Sequence, residues 1–177
     1  MPSIARLGHV GLHCDDLLAQ MAFYRDVLGL QVTDQDVDVG LIFLSSRPQE
    51  EHHELVLAAG RSGPSDARIL QQVSFRCDSL EDVREYYRRF KERGVKFDMI
   101  VTHGNAVGIY FYDPEGNRCE VYWATGLAAK QPFLENVDLE KSADEIMAFV
   151  SDSVAKHGVD GYVDTSILEA QNIPVHS

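Results

Sequence analysis

His9-Val-Gly-Leu-His-Cys-Asp-Asp-Leu17 and Gln72-Val-Ser-Phe-Arg-Cys-Asp-Ser-Leu80 match in register at Val, Cys, Asp and Leu. The overlay continues to Tyr24-Arg25 against Tyr87-Arg88, and Glu54-Leu-Val-Leu-Ala-Ala-Gly60 resembles Glu120-Val-Tyr-Trp-Ala-Thr-Gly126. Each matched stretch opens the same series of elements. In the first copy, Ile4 to Cys14 reads as a strand, and Asp15 or Asp16 is placed to cap a helix. Leu17, Met21, Tyr24 and Leu28 recur at helical spacing and Gly29 supplies the stop. Strand-like runs follow at 30–33, 39–45 and 54–59. In the second copy, a strand over Ile69–Cys77 precedes a helix capped by Ser79, with Val83, Tyr86, Tyr87 and Phe90 as its apolar stripe and Gly94 at its end. Strands at 95–101, 107–112 and 118–123 complete it.

The chain therefore reads as an α+β fold built from paired βαβββ modules, about 4–60 and 69–126. A single module leaves one face of its sheet uncovered, so two are expected to combine into a curved mixed sheet around a cleft. Residues 1–126 form the domain on this reading, and 127–177 an extension. One helix is expected in the extension between Asn136 and Gly158, with Ser142-Ala-Asp-Glu145 as a capping box and Ile146, Met147, Val150 and Val154 as its apolar face. It reads as a packing or dimer-contact element. The tail beyond Gly158 carries no motif.

Bulk properties narrow the function. The 177 residues are 45% hydrophobic and 25% charged, ordinary for a globular protein. A net charge of -12, from 16 basic and 28 acidic side chains, repels phosphate backbones and argues against a nucleic-acid partner. No run has the length of a membrane span, and Met1-Pro-Ser-Ile-Ala-Arg6 lacks the apolar centre of a signal peptide. Cys14, Cys77 and Cys119 fit neither a disulfide framework nor a zinc motif. They are expected inside the sheet as small hydrophobes, in a reducing cytoplasm.

The chemistry concentrates in His103-Gly-Asn-Ala-Val-Gly-Ile-Tyr-Phe-Tyr-Asp-Pro-Glu-Gly-Asn-Arg-Cys-Glu120. Ile109–Tyr112 is strand-like, Asp113-Pro-Glu-Gly-Asn117 has turn chemistry, and Arg118–Trp123 resumes as a strand. Alternation sets Cys119, Val121 and Trp123 on one face, Glu120 and Tyr122 on the other. A carboxylate on so apolar a strand needs something to satisfy it. His9 and Gln72, equivalent by the repeat, are expected mid-strand beside the small residues Gly11 and Ser74. His, Gln and Glu converging on one cleft would offer nitrogen and oxygen donors to a divalent ion. Taken singly, a strand histidine is ordinarily a hydrogen-bonded core residue. His53, His103 and Tyr110 are candidates for proton transfer or for hydrogen bonding to an anion. His13, His52, His157 and His176 read as structural.

The spacing from His103 through Ile109-Tyr110, Asp113-Pro114 and Gly116 to Glu120 resembles the signature of type I extradiol ring-cleavage dioxygenases. Gly8-His9-Val10, Phe23-Tyr-Arg-Asp-Val-Leu-Gly29 and His52-His53 resemble the same family, in its short single-domain form. The paired modules resemble its parent, the vicinal oxygen chelate superfamily. The resemblance covers roughly residues 4–126 and leaves the C-terminal helix outside.

What the resemblance implies is an Fe(II)-dependent enzyme of aromatic degradation that opens a catecholic ring with O2, the small-molecule diol and O2 being its partners. It implies His9, Gln72 and Glu120 as metal ligands, with His53, His103 and Tyr110 as acid–base and hydrogen-bonding residues. Gln72 stands where the family ordinarily has histidine, and its amide oxygen is a harder, weaker donor. Mn(II), Zn(II) and Ni(II) are alternative metals. A homo-oligomer is expected. Two rival readings stay open. One is a glyoxalase- or epimerase-like enzyme using Zn, Ni, Co or Mn, with Glu54 as a further ligand. The other is a non-catalytic binding protein with a cleft lined by Tyr110, Tyr122 and Trp123.

Overall fold

The computed structural model describes residues 7–63, 70–129 and 133–157. Strand β1, Val10–Cys14, turns Leu12 and Cys14 inward while its intervening residues face out, as a two-residue period requires. Helix α1, Leu17–Asp26, begins where the Asp16 carboxylate accepts from the Ala19 N–H at 2.9 Å. It closes onto Gly29, whose φ of 82° lets the chain reverse. Strands β2 (Gln31–Asp36), β3 (Leu41–Ser45) and β4 (Leu55–Ala59) follow. They form a four-stranded mixed sheet in the order β1-β4-β3-β2, with β1 parallel to β4.

The second copy repeats this arrangement. Strand β5 (Val73–Arg76), helix α2 (Leu80–Arg93) and strands β6 (Lys96–Thr102), β7 (Ala106–Tyr112) and β8 (Arg118–Ala124) give the sheet order β5-β8-β7-β6. The repeat seen in sequence is thus a repeat of topology, first strand beside fourth in both copies. Ser79 and Asp82 exchange hydrogen bonds at the start of α2, the capping box that Ser79 heralds. Val83 and Phe90 are fully buried.

A two-residue strand, β9 (Glu135–Asn136), extends the second sheet beyond β6, and helix α3 (Ala143–His157) follows it. The Ser142–Glu145 capping box is formed. Ile146, Val150 and Val154 are buried as the periodicity implies, whereas Met147 is only half-buried. The helix starts where the Ser142 cap predicts, within the 136–158 segment, and Asn136 lies ahead of it in β9, paired with Val101. Among the described residues no helix is long and apolar enough to cross a membrane. The tail beyond Gly158 and the strand start at Ile4 lie outside the described residues.

Chain contacts define two compact units. The first comprises 1–73, 88–97 and 111–119; its core includes Leu12, Tyr24, Leu44, Leu55, Leu57, Phe90 and Phe111. The second comprises 74–87, 98–110 and 120–177, with Val83, Val101, Val107, Ile109, Val121, Ile146 and Val150 buried in it.

Candidate metal and catalytic site

Glu120 lies on β8 between Cys119 and Val121, with only 6% of its surface exposed. The neighbouring β7 makes room for it at Gly108. A Cβ there would stand 2.9 Å from Glu120 Oε1 and 3.3 Å from the Val121 carbonyl. The Ser74 hydroxyl donates to Glu120 Oε2 at 2.5 Å. Ser74 and Gly108 are the residues that sequence reading missed as parts of the site. Both look like mere small neighbours until the carboxylate's direction is known.

His9 and Gln72 each sit one residue before a strand, not within it as expected: β1 starts at Val10 and β5 at Val73. Their equivalence survives, since both precede the first strand of a copy. The reason for the shift is pairing, because the ladder with β4 begins at Val10 opposite Leu55. His9 is exposed, and its ring lies 4.4 Å from that of His53. Gln72 Oε1 accepts from Arg118 Nη1 at 2.8 Å, so the amide oxygen already faces a cation.

His53 and His52 meet through their Nδ1 atoms at 2.9 Å, and only one of these can carry the hydrogen. Asp34 Oδ2 lies 3.8 Å from His52 Nε2, beyond hydrogen-bond reach. Partial burial, followed by the neighbouring His9 and His52, holds His53 below the ordinary histidine range. His52, read as structural, is thus a partner of the candidate base.

His103 and Tyr110 are also brought together. Tyr110 is buried on β7, and its hydroxyl is 3.1 Å from His103 Nε2. His103 Nδ1 reaches the Phe133 carbonyl at 2.8 Å.

Other polar residues of the 103–120 stretch build structure. The buried Asp113 accepts from the Tyr24 hydroxyl, from the Glu115 and Asn117 backbone N–H groups and from the Asn117 amide, at 2.8–3.0 Å. Glu115 Oε1 accepts the Asp15 and Asp16 N–H groups, both at 2.8 Å, and its Oε2 pairs with Arg61 at 3.1 Å. Glu54, the carboxylate a glyoxalase-like site would require, is taken up locally. Its Oε2 accepts from the Ser46 N–H and hydroxyl at 2.8 and 2.6 Å, and its Oε1 from Arg47 Nε at 3.1 Å. Desolvation raises the Glu54 pKa, but the Ser46 hydrogen bonds and Arg47 outweigh it and leave the group below its usual range. Burial pushes the Cys14, Cys77 and Cys119 thiols up to about 12, so all three are inert small hydrophobes as expected.

Imidazole nitrogen, amide oxygen and carboxylate oxygen together suit a divalent first-row ion. Among the described residues no three His, Cys, Asp or Glu side chains gather as an ion would need. The expected set contains only two of that kind, His9 and Glu120, with Gln72 as the amide.

Residues 6–121 match the family described as the glyoxalase/bleomycin resistance protein/dioxygenase superfamily. The chain is 30% identical over 121 residues to biphenyl-2,3-diol 1,2-dioxygenase 3 of Rhodococcus globerulus, covering 66% of this chain and 62% of that protein. It is 30% identical over 123 residues to the manganese-dependent 2,3-dihydroxybiphenyl 1,2-dioxygenase of Geobacillus genomosp. 3, covering 68% of this chain and 37% of that protein. The chain thus spans less than two thirds of the length of these curated relatives. Among solved structures, the fosfomycin resistance protein FosX of Listeria monocytogenes superposes with a TM-score of 0.57 at 24% identity, over 70% of this chain and 97% of that one. Lactoylglutathione lyase of Agrobacterium tumefaciens gives 0.54 at 24% identity, over 69% and 96%. These two likenesses concern the fold. With the family match spanning both topological repeats and ending just past Glu120, the chain belongs to the glyoxalase/bleomycin resistance protein/dioxygenase superfamily.

Proposed function

We propose that the chain is a metal-dependent extradiol dioxygenase that cleaves a catecholic aromatic ring with O2. The observation that carries this reading is the hydrogen bond between His103 Nε2 and the Tyr110 hydroxyl, two residues of the 103–120 motif that a metal-binding scaffold alone does not require. The names of the curated relatives, biphenyl-diol dioxygenases, support the same class of substrate. Glu54 supports it too: with its oxygens held by Ser46 and Arg47, it favours this reading over the glyoxalase-like one.

His9, Gln72 and Glu120 would hold the ion, Fe(II) or Mn(II) being the choices that the family resemblance and the manganese-dependent relative suggest. When bound, the metal supplies a Lewis acid that lowers the pKa of a diol oxygen and holds both reactants together. The protein's own part is proton handling. His53, whose pKa is lowered by partial burial and by the neighbouring His9 and His52, offers a ring nitrogen to a substrate hydroxyl. The His103–Tyr110 pair hydrogen-bonds oxygen atoms as negative charge builds on them.

The test is anaerobic loading with Fe(II) or Mn(II), followed by air and a panel of catechols that includes 2,3-dihydroxybiphenyl. A yellow ring-opened product is expected. Absence of product from every diol, with metal shown to be bound, would reject the dioxygenase reading.

A further inference from the structure

The family match ends at residue 121, so nothing in it assigns a role to the segment beyond Gly126. We propose that residues 133–157 are a positioning element of the site: the Phe133 carbonyl fixes the tautomer of His103 and so decides how Tyr110 presents its hydroxyl. A carbonyl oxygen only accepts, so its contact with His103 Nδ1 at 2.8 Å places the imidazole hydrogen on Nδ1. In the neutral ring Nε2 is then a bare acceptor, and the phenol, 3.1 Å away, donates its single hydrogen to it. Tyr110 therefore meets a ligand as an acceptor for that ligand's hydroxyl. With the hydrogen on Nε2 instead, the polarity of the pair would reverse.

The segment is built to hold that carbonyl in place. Strand β9 pairs with the end of β6, Glu135 opposite Thr102, immediately before His103. The Phe133 side chain is buried and its ring lies 4.7 Å from that of His157 on α3. The Ser153 hydroxyl, also on α3, donates to Glu135 Oε2 at 2.6 Å. The turn after His103 is covered closely: at Gly104, with φ of 73°, a Cβ would stand 2.4 Å from Ala129 Cβ and 2.9 Å from Val154 Cγ2. The Thr125 hydroxyl donates to the Gly104 carbonyl at 2.7 Å. Strand, ring and helix thus converge on the backbone beside His103.

The catalytic meaning of this arrangement rests on the dioxygenase reading, but the tautomer does not, and the two are separable by measurement. Long-range 1H–15N correlation on the full chain with 15N-labelled histidine, assigned with His103→Gln, reads which nitrogen carries the hydrogen. The parent should show Nδ1 protonated and Nε2 bare, and Tyr110→Phe should leave that unchanged. Phe133→Ala, which removes the anchor, should admit the Nε2–H form, and Phe133→Leu should restore the parent pattern. In a ring-opening assay Phe133→Ala should lower kcat by about 10- to 100-fold, the range for loss of a supporting hydrogen bond, with KM little changed. A parent spectrum with Nε2 protonated overturns the proposal outright, as does Phe133→Ala with an unaltered tautomer in folded protein. If that variant does not fold, the parent spectrum alone still decides. Absence of ring opening in every protein tested would overturn the dioxygenase reading and leave the tautomer assignment standing.

Discussion

Glu54 and Glu120 occupy matching places in the two repeats, yet their carboxylates do different work. Glu54 binds Ser46 and Arg47, whereas Glu120 is drawn into the space left by Gly108. Glu54→Gln should therefore cost about 1–2 kcal/mol of stability at neutral pH without changing metal affinity. Because the folded pKa of Glu54 is lowered, its contribution is present above the ordinary glutamate range and lost as the pH falls through the folded value. The gap in melting temperature between Glu54→Gln and the parent should accordingly close in acid, and a persistent gap would refute the linkage. Gln72 is the second decisive residue. Gln72→His should tighten Fe(II) binding by about tenfold, read by competition with a chelator, if the amide oxygen ligates the metal. An unchanged affinity would mean that Gln72 is not a ligand.

At the scale of the element, the Asp113–Asn117 turn is the most heavily bonded piece of the 103–120 stretch. Asp113→Ala removes the carboxylate that accepts from the Tyr24 hydroxyl and from the turn's N–H groups, and should destabilise the chain by about 3 kcal/mol or more, measured by urea unfolding. A loss below about 1 kcal/mol would show that the network is redundant. Helix α1 shows the opposite case. Gln20 is fully buried, and among the described residues neither atom of its amide has a hydrogen-bond partner. Gln20→Met conserves volume and removes the unpaired amide, so it should stabilise by about 1–2 kcal/mol. A destabilised variant would indicate a buried water serving the amide. Sequence periodicity at α1 pointed to Leu17, Met21, Tyr24 and Leu28; Tyr24 and Leu28 are buried, whereas Leu17 and Met21 are half-buried. The stripe is weak because neighbouring strands, rather than the helix's own pattern, choose which face is covered.

For the whole molecule, a metal that binds only the folded chain must raise its stability by mass action. Addition of Fe(II) or Mn(II) at about 100 times Kd should contribute about 2.7 kcal/mol, seen as a concentration-dependent rise in melting temperature. No rise with either metal, at concentrations where binding to the folded chain is shown, would mean that the unfolded chain binds the metal equally well and that the folded site adds nothing. By itself the sequence determined the doubled βαβββ order, the caps at Ser79 and Ser142 and one at Asp15 or Asp16, the turns at Gly29 and Asp113–Asn117, and the burial of the cysteines. All of these follow from short-range periodicity, turn chemistry and cap chemistry, which act between residues a few positions apart. Only the tertiary structure decided that Glu54 belongs to Arg47, that Gln72 faces Arg118, that Ser74 and Gly108 attend Glu120, and that Phe133 holds His103. Which polar group satisfies which is settled when distant segments meet and shed their water, and no local pattern carries that choice.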